Sequence, residues 1–227
     1  MALPSPRGFR YFRRRLLRLM LRPRCDGSKQ IRRLPDEKQA GRMSIEIFPA
    51  DAERLNDIRQ IFGMTGDPSW CKCQYFIDEN WNQGADANDL ALQTQVCTQE
   101  VPAGLVAYAD GEPAGWVQVG PSTRYPRFKP RGHQAAHSIW ALTCFVVRDG
   151  YRKRGVAREL LRAAIGHARD AGAEFLRARP TDTAINAKNS AGLFTGVLSS
   201  FRAEGFEIVN RNHSMTLVQL RLAAEPT

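Results

Sequence analysis

Several common signatures are missing from these 227 residues. No GxxxxGK[ST] run marks a P-loop, and no GxGxxG run marks a dinucleotide-binding turn. No stretch approaches the ~20 apolar residues of a membrane span. The apolar run Leu16–Leu21 is broken by Arg18, so a cleavable signal peptide is not expected. The five cysteines, Cys25, Cys71, Cys73, Cys97 and Cys144, form no regular framework, and a reducing cytoplasmic setting is the default expectation. Acidic residues are scarce only at the start. Residues 1–42 hold 13 Lys or Arg against 3 Asp or Glu, whereas residues 43–227 hold 20 of each sign. The net charge of +10 therefore belongs to the first 42 residues. The balanced remainder gives no electrostatic case for nucleic-acid binding.

The charge divides the chain into a basic extension, 1–42, and a domain over 43–227. FRYFRRRLLRLMLRPR in the extension is open to three readings: an amphipathic helix touching an anionic membrane or nucleic acid, a disordered tail, or an upstream segment with Met43 as the true start.

Within the domain the apolar pattern gives βα(α)βββαβαββ. SIEIF alternates as a strand, and DAERLNDIRQIFG reads as a helix capped by Asp51. Residues 85–99 have helical character. GLVAYAD and AGWVQVG make a hairpin across the turn residues GEP. SIWALTCFVV, 138–147, is apolar nearly throughout, as a buried central strand requires. A helix is expected over about 154–171, with Gly172 at its C-terminal end. EFLRARP is a strand and AGLFTGVLSSFRAEG a helix; FEIVN and SMTLVQLRL are paired strands. This order is a mixed α/β sheet.

The run VVRDGYRKRGVARELLRAA is unusual. Arg152, Lys153, Arg154 and Gly155 crowd the start of a helix, whose unpaired N–H groups and dipole favour negative charge. A bound phosphate satisfies both the amides and the cations. A solvated basic loop is the plainer alternative, but the glycine, the helix start and the preceding strand together favour phosphate.

RKRGVA fits [QR]-x-x-G-x-[GA], and with CFVV before it and FRAEGFEIV after it the sequence resembles the GNAT superfamily of acetyl-CoA-dependent N-acetyltransferases over most of 44–221. The resemblance implies a mostly antiparallel sheet flanked by helices, with a central strand splayed at the cofactor site. It implies an enzyme that moves an acetyl group from acetyl-CoA to a primary amine of a small molecule or protein, directly and in a ternary complex. Backbone groups of Phe145 and Val147 would pair with the pantetheine arm, and amides from Lys153 through Gly155 and Val156 to Ala157 would wrap the diphosphate. Arg152, Lys153 and Arg154 would add charge, and the amide of Val146 or a neighbour would be the oxyanion donor.

The sequence also departs from that family. Many members carry a tyrosine as general acid where Phe201 stands, and a strand carboxylate where Trp140, Ala141 and Leu142 stand. Thr143, Cys144, His137 and Tyr75 are the remaining weak candidates for the chemistry, with Cys144 read as an inert strand cysteine rather than a nucleophile. Cys71 and Cys73 with His133 and His137 make a conceivable zinc set, but CxC is tight and no metal is expected; WCKCQYF reads instead as an aromatic wall over an acceptor pocket. His167 and His213 read as surface positions. A non-catalytic acyl-CoA sensor, or a nucleic-acid or membrane protein acting through the tail, are the alternatives.

Overall fold

The computed structural model describes residues 43–128, 138–185, 191–212 and 215–222. The basic extension, His133, His137 and His213 lie outside them. The order is β1 (Ile45–Pro49), α1 (Leu55–Phe62), α2 (Asp67–Cys71), α3 (Ala85–Thr98), β2 (Leu105–Ala109), β3 (Glu112–Pro121), β4 (Ile139–Val147), α4 (Val156–Asp170), β5 (Phe175–Ala178), α5 (Leu198–Ala203), β6 (Glu207–Arg211) and β7 (Thr216–Arg221). One seven-stranded sheet runs β1-β2-β3-β4-β5-β7-β6. Only β4 and β5 pair in parallel, joined by the α4 crossover; the other pairs are antiparallel. The mixed, mostly antiparallel sheet flanked by helices is the one expected.

Local chemistry explains most element ends. The Asp51 side chain accepts from the Arg54 amide and opens the turn that leads into α1. The β2–β3 turn falls at Asp110–Gly111 rather than at GEP. Both residues have positive φ, 51° and 80°, as a two-residue hairpin turn demands, and Glu112 and Pro113 already belong to β3. The single long helix expected over 191–205 does not form. A short 3₁₀ turn at Ala191–Leu193 is separated from α5 by Gly196, whose φ of 78° no right-handed helix admits.

The sheet carries apolar clusters on both faces. On one, α4 lays Val156, Leu160, Leu161 and Ala164 over β2 to β5, against Trp140, Leu142 and Leu176. On the other, α1 and α3 cover Trp116, Cys144 and Val146, while Phe76, Tyr125 and Phe128 cover Ala141. Trp116 and Trp140 are therefore core residues. His167, expected at the surface, is partly buried, and its ring meets Trp140 edge-on at 5.4 Å. Burial lowers its pKa from the ordinary value, with Asp170 opposing. The folded state thus prefers neutral imidazole, and the unfolded chain takes up the proton first as pH falls through about 6.5. Thermal melts should show the wild type losing more stability than His167→Phe between pH 7.5 and 5.5; parallel losses would contradict this.

Candidate functional site

The site begins at an irregularity in β4. Register with β3 shifts between Gln118 and Val119, so that Cys144 faces Gln118 and Leu142 faces Val119, leaving Thr143 as the extra residue. A bulge of this kind bends the strand and resets its alternation. Trp140 and Leu142 face α4, and beyond the bulge Phe145 and Val147 take that face, while Ala141, Cys144 and Val146 take the other. Pairing between β4 and β5 stops at the same place, with Leu142 opposite Ala178. Among the described residues β4 keeps only β3 as a strand neighbour from Thr143 onward, and the sheet forks.

The alternation also decides which amides face the fork. Arg148 N–H donates to the Ala114 carbonyl and Val146 pairs with Trp116, so the amides of Val146 and Arg148 point toward β3. Of the expected oxyanion donors, Val146 N–H is thus turned to β3 and its neighbour Phe145 is not. Phe145 and Val147 face the open side instead. Two elements of the chain itself currently use these groups: Phe145 N–H donates to the Phe194 carbonyl at 2.6 Å, and Arg152 Nε donates to the Val147 carbonyl at 3.1 Å.

The basic turn lies just beyond. Helix α4 starts at Val156 rather than Arg154, and Gly155 precedes it without a side-chain cap. Lys153 and Gly155 have φ of 59° and 91°. Left-handed residues interleaved with ordinary ones turn successive N–H groups to the same side and form an anion-binding concavity. Among the described residues, the amides from Lys153 to Ala157 meet no backbone acceptor. A Cβ on Gly155 would meet nothing within 4 Å, so its φ, and not crowding, calls for glycine there. Around the turn Arg152 pairs with Asp149 at 2.8 Å, and Arg154 lies 3.3 Å from the Gly150 carbonyl and over the Tyr151 ring. These exposed contacts are weak enough to be exchanged for a stronger anion. Arg158 and Arg162 are both held by Glu204.

The candidates for the chemistry separate. Thr143 Oγ1 is buried and donates to Gln118 Oε1 at 2.7 Å. Cys144 is buried on the α1 side in contact with the Cys73 thiol, and burial pushes the Cys73 thiol well above its usual range and raises Cys71. The pairing of Cys73 with Cys144 and Trp116 makes the CxC segment part of the packing over β4. Among the described residues no three His, Cys, Asp or Glu side chains converge as metal ligands. Phe201 is fully buried, its ring 6.2 Å from Phe145 and 5.0 Å from Phe206. Among the described candidates, Tyr75 alone reaches open space. It stands with Phe76 in the wall of a cavity of about 720 Å³ beside the fork. Trp70, expected in the same wall, is not among the lining residues.

That cavity is lined also by Arg179, Asp182, Phe194 and Arg211, which sequence reasoning missed. Phe194 joins cavity to fork: its carbonyl holds Phe145 N–H, and its ring lies 6.4 Å from Tyr75. Phe76 belongs to the cluster on the sheet face opposite α4, so the cavity and the basic turn meet β4 from opposite sides.

A model of the acetyltransferase (GNAT) family matches residues 55–194. This span includes the forked strand, the basic turn and α4, and the chain belongs to that family. No curated protein matches the sequence. Among solved structures, the chain is similar to the PaiA N-acetyltransferase of Thermoplasma acidophilum in complex with coenzyme A, at 16% identity, covering 79% of this chain and 99% of that one with a TM-score of 0.50. It is also similar to an N-acetyltransferase of Staphylococcus aureus Mu50, at 19% identity over 79% of this chain and 99% of that one, TM-score 0.49. A third is yncA of Salmonella typhimurium, solved with its cofactor acetyl-CoA, at 18% identity over 81% and 96%, TM-score 0.48. At these identities the likeness is one of fold.

Proposed function

We propose that the protein is an N-acetyltransferase that binds acetyl-CoA along the open side of β4 and transfers its acetyl group directly to an amine held in the neighbouring cavity. The observation that carries this reading is the run of amides from Lys153 to Ala157, which among the described residues make no backbone hydrogen bond of good geometry, with two left-handed residues, at the end of the forked strand. The coenzyme A bound to the Thermoplasma structural neighbour supports it.

The residues fit the ligand. The diphosphate sits in the Lys153–Ala157 nest at the positive end of α4, with Arg152, Lys153 and Arg154 around it. The pantetheine arm takes the place of a missing strand beside Phe145 and Val147. For that, Phe194 and Arg152 give up their bonds to these two residues, and Arg152 becomes available to phosphate. Acetyl-CoA supplies an activated acyl carbon: the amine nitrogen bonds to it, the carbon–sulfur bond breaks, and the thiolate leaves with a proton. The chain supplies alignment and polarisation, for which the freed Phe145 amide is placed on the correct edge. Phe201 offers no proton, and no acid lies on β4, so the rate rests on positioning more than on a dedicated acid.

Thermal melts with acetyl-CoA and a thiol-release assay against an amine panel test the reading. Stabilisation with turnover is expected; stabilisation with no turnover against any amine would instead favour an acyl-CoA sensor, and neither would end the proposal. The paired variant Arg152→Ala, Arg154→Ala should weaken acetyl-CoA binding by about 1–3 kcal/mol, the scale of charge-assisted hydrogen bonds, and less so at high salt. Unchanged affinity would make the turn a surface loop.

A further inference from the structure

The cavity beside the fork has a composition that narrows the acceptor. Its apolar side is aromatic: Tyr75, Phe76 and Phe194, with Ile185 and Met215. Tyr75 meets Phe76 and Phe194 edge-on, at 5.0 and 6.4 Å, and the wall is further fixed by Trp81 at 5.5 Å and by the Arg127 guanidinium over the Tyr75 ring. Such a surface suits a planar or bulky apolar body.

The charged side is unequal. Among the described lining residues there are two guanidiniums, Arg179 and Arg211, and one carboxylate, Asp182. Asp182 is mostly buried and held in a set orientation: one oxygen accepts from Arg211 at 2.6 Å and the other from the Ala184 amide at 3.1 Å. Arg179 follows directly on the residue where β5 leaves β4; it lies over Phe128 and donates to the Arg127 carbonyl at 3.1 Å.

Two guanidiniums against one carboxylate among the described lining residues disfavour a polyamine or an aminoglycoside, which must bring several ammonium groups past them. One lone amine is different: its ammonium has a single fixed partner in Asp182. A negative group on the same molecule has two cations to choose from. Resting on the acetyl-transfer reading above, we infer that the acceptor is a small aromatic amine that carries a carboxylate or other anionic group, with its ammonium at Asp182, its anion at Arg179 and Arg211, and its body against Tyr75 and Phe194. The proton balance then closes. The ammonium gives one proton to Asp182, which passes it to water, and the nitrogen attacks as a neutral amine. The second proton it loses goes to the departing thiolate, leaving an acetamide, the thiol and one released proton. Asp182 here takes the place of the carboxylate that β4 lacks.

Matched acceptors test the inference. Thiol release is measured with acetyl-CoA and phenylalanine, tyrosine and tryptophan, with their carboxamides, which lack only the anion, and with spermidine. The carboxylate series should exceed the carboxamides at least about tenfold in kcat/KM, with spermidine lowest. Arg211→Gln and Arg179→Gln should erase that difference by raising KM for the carboxylates. Asp182→Asn should lower kcat for every acceptor and flatten the pH profile of kcat/KM. Melting curves with acetyl-CoA check that each variant is folded and still binds it. Carboxamides or spermidine turned over as well as the carboxylates, or no turnover of the carboxylate series, would overturn the inference while acetyl-CoA binding leaves the enzyme reading standing. Loss of acetyl-CoA binding in the wild type would instead remove the reading beneath it.

Discussion

Replacing Gly155 with Asp should reduce acetyl-CoA affinity by several hundred-fold or more. The residue has a φ of 91°, where a side chain other than glycine costs roughly 1–3 kcal/mol of backbone strain. If the backbone relaxes to escape that strain, the N–H groups of Lys153 to Ala157 no longer converge. If it does not, the new carboxylate faces a diphosphate and forfeits a term of about 1–3 kcal/mol. At mid-range these sum to about 3–5 kcal/mol, or about two to three and a half powers of ten in Kd. The position is exposed and a Cβ there would meet nothing within 4 Å, so the fold itself should suffer little. Gly155→Asn isolates the charge: asparagine meets much the same backbone strain as aspartate but brings no negative charge, so it should lose distinctly less affinity. Calorimetric titration decides, and an unchanged Kd for the aspartate variant would mean that no phosphate sits at this turn.

Gly115→Val should damage stability and binding together. Gly115 lies in β3 beneath the first turn of α4, and a Cβ there would come within 2.8 Å of Val156 and 3.0 Å of Leu160. Neither neighbour has room to retreat, since both are buried in the main cluster. Overpacking of this kind costs about 1–3 kcal/mol or somewhat more, which lowers Tm by roughly 5–10 °C in a domain of this size. Val156 is the first residue of α4 and directly follows Gly155, so lifting the helix also displaces the amide nest. The folded variant should bind acetyl-CoA about tenfold more weakly. A normal melting curve would show that α4 does not rest on Gly115 as described.

The sequence made the scaffold legible because its periods were clean. The apolar run 138–147 announced a central strand, and the amphipathic run after Gly155 announced the helix that covers it. The turn chemistry was visible for the same reason: three cations and a glycine at a helix start have few physical explanations. The bulge at Thr143 was not visible, since a continuous apolar strand looks the same whether or not its alternation resets. That reset moved the open-side amides to Phe145 and Val147 and turned Val146 toward β3. The long helix over 191–205 was misread because one glycine in a helical pattern is usually tolerated, whereas Gly196 sits at positive φ and packs against Phe201 and Phe145. The cavity was legible only in part: WCKCQYF announced Tyr75 and Phe76, whereas Arg179 and Asp182, Phe194 and Arg211 come from three later stretches that the fold brings beside them.

The central claim is that the turn after Tyr151 holds the diphosphate of acetyl-CoA, and backbone amide NMR tests it most directly. Titrating coenzyme A into ¹⁵N-labelled protein should shift the amides of Lys153, Gly155, Val156 and Ala157 most, followed by Phe145 as Phe194 releases it. Saturable binding that leaves those amides unmoved, with the largest shifts elsewhere, would contradict the account.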